Sequence, residues 1–223
     1  MNNLTLIIPA KDEAGSLPKV IEELNAYDFK VAIILHESDT KTIEAIKNYN
    51  LDMIYQKNKG YGDALIEGIK KCETDLFCIF NADGSFDPKE IGYMINMLKE
   101  SNLDFVFGSR YQKNSGSEDD TFITLIGNYI FTKVGKIFFK LVITDILYTF
   151  VLGKTDRAKE LNLSQKNFSF CVELPIKARK NNMKMSSINC YERKRIAGNK
   201  KVNAFKDGLI ILICMIKLFF SKN

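Results

Sequence analysis

The 223-residue chain has no run of twenty apolar residues, no paired cysteine spacing and no phosphate-binding glycine loop. Each lack removes a class of protein. The longest apolar segment, residues 208–220 (GLIILICMIKLFF), is thirteen residues with Lys217 inside, whereas a bilayer span takes about 20. A comfortable membrane span is excluded, and a helix lying in a membrane interface or docked on the protein is expected. The N-terminal apolar stretch covers only residues 4–10 and meets Lys11-Asp12-Glu13 at once, so no signal peptide is expected. The five cysteines (Cys72, Cys78, Cys171, Cys190, Cys214) lack metal-ligand spacing and several sit in apolar runs. Buried free thiols in a reducing compartment are expected. A P-loop is absent. Gly60-Tyr61-Gly62-Asp63-Ala64-Leu65 is one glycine short of a dinucleotide fingerprint and follows the third strand-like run rather than the first, which speaks against a Rossmann dehydrogenase.

What is present is an ordinary globular composition, 46% hydrophobic and 26% charged, which leaves no room for a disordered chain. The net charge of +5 is unevenly spread: residues 174–223 hold twelve Lys or Arg against Glu192 and Asp207, or +10. Such a basic segment suits an anionic partner, whether phosphate, nucleic acid or an acidic membrane surface. Aromatic residues for stacking on bases are sparse there, so nucleic acid is not expected.

Strand-like and helix-like patterns alternate through the first 110 residues. Buried strands are expected at 4–8, 31–35, 53–55, 76–80 and 105–107. Helices are expected around Leu17, Val20, Ile21 and Leu24 (Ser16 as cap, Pro18 in the first turn), and at 42–49, 64–71 and 89–99. Such alternation predicts an α/β fold with a mostly parallel sheet covered by helices on both faces. Ligands in such sheets bind beyond the carboxyl ends of the strands, where residues 9–13, 36–39, 81–87 and 108–110 fall. Residues 122–153 are rich in aromatic and aliphatic side chains, punctuated by Lys133, Lys136 and Lys140. They fit either a membrane interface or a packed core helix.

NADGSFDP (81–88) carries the sharpest chemistry. A buried strand ends there in Asn81, Asp83 and Asp87. A hard divalent cation such as Mg²⁺ takes one or two protein carboxylates together with phosphate oxygens and water. Asp83 is placed to be that ligand, and Asp87, just before Pro88, reads as a helix cap.

IIPAKDE, GYGDALIEG, NADGSFDP, GSRY, FCVELPIKA and RIAGNKK stand in the order and spacing of the family 2 glycosyltransferases of GT-A fold. Over residues 4–203 the chain resembles the dolichol- or polyprenyl-phosphate sugar transferase branch. The resemblance implies a GT-A domain over 1–203 with an apolar, basic helix at 204–223. It further implies a nucleotide-diphospho-sugar donor, Mg²⁺ or Mn²⁺, and inverting transfer to a lipid-phosphate or cell-envelope glycan acceptor at the cytoplasmic face of a membrane. By the same resemblance Pro9, Ala10, Asp12, Glu13, Glu37, Gly60 and Asn81 would line the donor pocket. Asp83 would hold the metal, and Arg110, Arg195 and Lys201 would hold the acceptor. Glu173 is the candidate base, with local bonding at a helix start as its other reading. The chain departs from the family's pattern in His36-Glu37 at the second strand end, in Asn81 for the first acid of Asp-x-Asp, in Ser187-Ile188-Asn189, and in Glu118-Asp119-Asp120. A sugar nucleotidyltransferase and a non-catalytic nucleotide-sugar binder are the alternatives; the former calls for a glycine-rich basic loop, which PAKDEAGS does not supply.

Overall fold

Leu4, Leu6, Ile7 and Ile8 are all buried because the strand they form lies inside a sheet with helices on both sides. The computed structural model describes residues 3–221. Its first half runs β1 (Leu4–Pro9), α1 (Leu17–Leu24), β2 (Lys30–Leu35), α2 (Thr40–Ile46), β3 (Asp52–Tyr55), α3 (Tyr61–Lys71), β4 (Leu76–Ile79), α4 (Lys89–Glu100) and β5 (Phe105–Ser109). The second half runs β6 (Gly116–Ser117), α5 (Phe122–Phe139), β7 (Val151–Lys154), α6 (Thr155–Glu160), α7 (Phe170–Lys180), β8 (Met185–Asn189), β9 (Tyr191–Glu192) and α8 (Ala204–Phe220).

The main sheet has the order β3-β2-β1-β4-β7-β5-β8. Every pairing in it is parallel except those of β7, which runs antiparallel to both β4 and β5. The expected α/β architecture is therefore present; β7 and β8 of the main sheet, and the short pair β6 and β9, are strands that the pattern of the sequence did not announce. Alternate residues of β1 feed opposite cores: Leu4, Leu6 and Ile8 on one face, Ile7 on the other. All five cysteines are free thiols; Cys72, Cys78, Cys190 and Cys214 are buried and Cys171 is half-buried.

α5 and α8 pack on one another beside α7, with Phe219 edge-on to Phe138 and Phe139. α5 turns Asn128, Thr132, Gly135 and Phe139 inward; α8 turns Ile211, Cys214, Met215 and Leu218 inward. The outer faces carry Phe122 (77% exposed), Tyr129, Ile130, Phe138, Phe205 (81%), Leu209, Ile216 and Phe220 (78%). By length and composition α5 could cross a membrane, but its inward residues pack into the domain. Of the expected segments 1–203 and 204–223, residues 1, 2, 222 and 223 lie outside the described residues.

Candidate functional site

The loops leaving β1, β2, β3, β4 and β5 meet at one edge of the sheet, around a cleft of about 810 Å³. α5 and α8 border it through Thr124, Asn128, Lys206 and Ile211, so the apolar helices stand at its mouth. Pro9, Ala10, Asp12, Glu13, Gly60, Asn81, Asp83, Arg110, Arg195 and Lys201 all line it.

The β1 loop is held by side chains from the β2 end. Asp12 adopts a left-handed conformation (φ 54°), and its N–H donates to Asp39 Oδ2 at 2.7 Å. The Glu13 N–H donates to Thr42 Oγ1 at 3.0 Å. Ser16, expected to cap α1 through its side chain, instead donates its hydroxyl to Glu13 Oε2 (2.6 Å). Glu37 does not line the cleft; it is exposed, and the expectation for it is corrected. The tight turn from His36 to Asp39, closed by a 2.9 Å bond from Asp39 N–H to His36 O, carries Asp39 inward in its place. Asp39 also caps α2 through Thr42 N–H.

Gly60 has φ 144°, and a Cβ there would lie 2.1 Å from the Lys166 carbonyl oxygen. The GYG segment is glycine-rich because loop 161–169 packs directly on the start of α3. At the end of β4, Gly84 has φ 81°, a region open to glycine. This turn lets the Ser85 N–H donate to Asp83 Oδ1 at 3.0 Å. Asn81 donates its amide to Ser85 Oγ at 3.1 Å. Asp87 accepts from Lys89 N–H at 3.0 Å, at the start of α4.

The basic segment after β9 folds back over this edge. Arg195 lies 3.6 Å from Asp83 Oδ2 and is bonded to Asp119 at 2.8 and 3.1 Å; Lys200 also reaches Asp119. Partial burial pushes the Asp119 carboxyl up, but Arg195 and Lys200 hold it below its ordinary value. Lys201 pairs with Glu13 at 2.8 Å, so it stands with the β1 loop rather than at a separate acceptor position.

One further expectation is corrected. Glu173 is wholly buried outside the cleft lining. It accepts bonds from the Ser164 N–H and hydroxyl and the Gln165 N–H (2.8–3.0 Å), and pairs with Lys177 at 2.8 Å. It pins loop 161–169, which presents Asn167 and Phe168 to the cleft, and it cannot reach a substrate. Arg110 faces the cleft but is already engaged. Its Nε and Nη2 bond both oxygens of Asp145 (2.8 and 3.1 Å), Nη1 bonds Glu192 (3.1 Å), and the guanidinium lies 4.5 Å above the Tyr148 ring. Burial alone would lower its pKa; Asp145 and Glu192 together hold it well above the ordinary value.

Asp39, Asp119, Asp120, Tyr148 and Glu192 also line the cleft and are not among the expected site residues. Asp39 lies two residues beyond the acid chosen, and Glu192 abuts the basic run Arg193-Lys194-Arg195, so each stood within sight of a motif. Burial raises the Tyr148 hydroxyl pKa well above its usual range.

Glycosyl transferase family 2 matches residues 5–161. The chain is 22% identical over 214 residues to the low-salt glycan biosynthesis hexosyltransferase Agl6 of Haloferax volcanii, covering 92% of this chain and 51% of that protein, about half its length. It is 20% identical over 210 residues to an uncharacterized glycosyltransferase of Mycobacterium tuberculosis, with 94% of each covered. Among solved structures, glucosyl-3-phosphoglycerate synthase from Mycobacterium tuberculosis, in complex with Mn²⁺, UDP and glucosyl-3-phosphoglycerate, superposes with TM-score 0.74 at 10% identity. The superposition covers all of this chain and 81% of that one. With its sheet order, its strand-end cleft and a family match over more than half its length, the chain belongs to glycosyl transferase family 2.

Proposed function

We propose that the cleft binds a nucleotide-diphospho-sugar with a divalent cation, and that the sugar moves with inversion to an acceptor carried on a lipid or cell-envelope glycan. The observation that carries this reading is the convergence of Asp39, Asp83 and Arg195 on one strand-end cleft large enough for a nucleotide sugar. Agl6 is named a hexosyltransferase, and the synthase structures hold UDP with Mn²⁺ or Mg²⁺, which supports the same donor class here.

The residues fit a cation that leans on the diphosphate for most of its ligands. Asp83 Oδ2 carries no hydrogen bond among the described residues, and the Asn81 carbonyl oxygen is likewise unpartnered there. Asp83 would hold the ion, with Asn81 beside it. The cation, when bound, supplies positive charge against the leaving diphosphate. Arg195, 3.6 Å from Asp83, adds a second positive charge on the same side. Asp39 orders the β1 loop through the Asp12 N–H and stands where a base or ribose would be met. The reading is tested by thermal shift with a panel of nucleotide sugars, with and without Mn²⁺. One of them should raise Tm by several degrees with the ion and much less without it; a flat response across the panel would sink the donor assignment.

The lipid side of the reading rests on α5 and α8. Phe122 and Phe205 project outward beside the cleft mouth, and Lys133, Lys136, Lys140, Lys206 and Lys217 are exposed on the same helices or at their ends. Apolar side chains edged with lysine suit an anionic bilayer surface, which supports our reading of a peripheral enzyme at the cytoplasmic face of a membrane. Co-sedimentation should be strong with phosphatidylglycerol vesicles, weaker with phosphatidylcholine, and reduced at high salt. Burying one Phe is worth about 2 kcal/mol, so F122E together with F205E should weaken vesicle binding by well over tenfold. Undiminished sedimentation of that double variant would remove the helices from the account.

A further inference from the structure

We propose that the acceptor end of the cleft takes an uncharged hydroxyl group rather than a phosphate, with Glu192 receiving its proton. This deepens the donor reading above and rests on it.

The arginine that an acceptor phosphate would need is not free. Arg110 is clamped by both oxygens of Asp145, which is itself fully buried and bonded by Asn128 Nδ2 at 2.8 Å and by the Arg110 N–H at 3.1 Å. Glu192 lies on its other edge at 3.1 Å, and Asp120 at 4.0 Å. One guanidinium thus faces three carboxylates, so this wall of the cleft is net negative and repels an anion. Of the other cations lining the cleft, Arg195 and Lys200 share Asp119 and lie toward Asp83 on the donor side, Lys201 pairs with Glu13, and Lys11 and Lys59 are exposed on the loops after β1 and β3. Lys206, at the mouth on α8, is exposed to solvent, where screening weakens its hold on an anion.

The same wall is built to meet a hydroxyl. The Tyr148 side chain is 4% exposed and lines the cleft, and its buried hydroxyl has no hydrogen-bond partner among the described residues. A buried hydroxyl left unpaired is unfavourable, and a polyhydroxylated acceptor would supply the partner. Glu192 is held in place on β9, which pairs with β6, while Oε2 accepts from Arg110 and from the Ser117 hydroxyl. Its other oxygen, Oε1, carries no hydrogen bond among the described residues. A line of contacts joins Glu192 to the donor side through its bonded oxygen: Ser117, which donates to Oε2, accepts from Asp119 N–H (3.1 Å), Asp119 accepts from Arg195, and Arg195 lies 3.6 Å from Asp83.

A hydroxyl acceptor needs a base, whereas a phosphate arrives already anionic. In the step proposed, the acceptor O–H gives its proton to Glu192 Oε1 as that oxygen bonds to the anomeric carbon. The bond from that carbon to the diphosphate oxygen breaks, and its electron pair leaves with the nucleoside diphosphate. Atoms and charge balance with no further reactant.

Calorimetry with octyl glucoside and octyl phosphate, which share a tail, tests the wall without turnover. The glucoside should bind wild type about tenfold more tightly, and D120N combined with E192Q should erase that preference. Equal or tighter binding of octyl phosphate by wild type would overturn the proposal. In transfer from a labelled nucleotide sugar to a membrane lipid extract, the product should survive mild acid, as a glycoside does. An acid-labile glycosyl phosphate would count against it. E192Q should cut incorporation by about 10²–10⁴-fold while keeping the donor-induced rise in Tm, and unchanged incorporation would dismiss Glu192 as base. A wild type that shows no donor-induced rise would instead condemn the donor reading, and the octyl comparison is independent of it.

Discussion

Asp83→Ala is expected to lower sugar transfer by about 10²–10³-fold, the size of loss that follows when one preorganised group stabilising a developing anion is removed, here through the cation that Asp83 would hold. The fold should tolerate the change. Asp83 is half-buried, and its structural bonds are one contact from the Ser85 N–H and a loose 3.6 Å approach to Arg195. Arg195 keeps its closer pair with Asp119 when Asp83 is gone, so Tm without ligand should move little. The ligand-dependent part should vanish: the rise in Tm given by nucleotide sugar with Mn²⁺ should fall to that given by nucleotide sugar alone. Excess chelator should bring wild type down to the level of the variant while leaving the variant where it was. Wild-type transfer that survives chelation, or an Asp83→Ala protein keeping half its rate, would separate this acid from the chemistry. Asp83→Asn, which keeps an oxygen ligand but loses the charge, should fall between the two.

The sheet was legible where a strand is a closed apolar run and a helix follows it. LTLII, VAIIL and LFCIF announced β1, β2 and β4 because burial on both faces demands continuous apolar residues. β7 was not legible: Val151–Lys154 emerges from the aromatic run around Tyr148 and Phe150 and enters antiparallel between β4 and β5. Nothing local encodes a partner some seventy residues back in the chain. The site divides in the same way. Backbone loops at strand ends were readable as loops, and the acids and bases in them as candidates. Which side chain turns inward was not, because that depends on geometry of a single residue. Glu37 and Asp39 differ by one turn of chain, and the bond from Asp39 N–H to His36 O decides between them. Glu173 and Arg110 carried the right residue types at the right spacing. Their partners, Ser164 and Gln165 for one, Asp145 and Glu192 for the other, come together only in the folded chain.

Arg110→Ala should be the most destabilising single change in the cleft, by about 3–5 kcal/mol, because it strands a buried carboxylate. Asp145 is 0% exposed and would keep Asn128 and one backbone N–H as donors, but no positive charge. Domains of this kind hold about 5–15 kcal/mol in total, so a clear fall in the denaturant midpoint should be measured. Transfer would then be lost through unfolding rather than through acceptor binding. A simple phosphate-holding arginine predicts the reverse: stability intact, acceptor KM raised. The second variant separates them. Arg110→Met with Asp145→Asn removes both charges, so it should be more stable than Arg110→Ala, and the pair should fall short of additivity by about 0.5–3 kcal/mol. If that double variant folds and still transfers sugar, the Arg110–Asp145 pair is scaffold for the acceptor wall, and the chemistry falls to Glu192. If Arg110→Ala leaves the midpoint unmoved, the pair is not the strut that its four hydrogen bonds to two carboxylates describe.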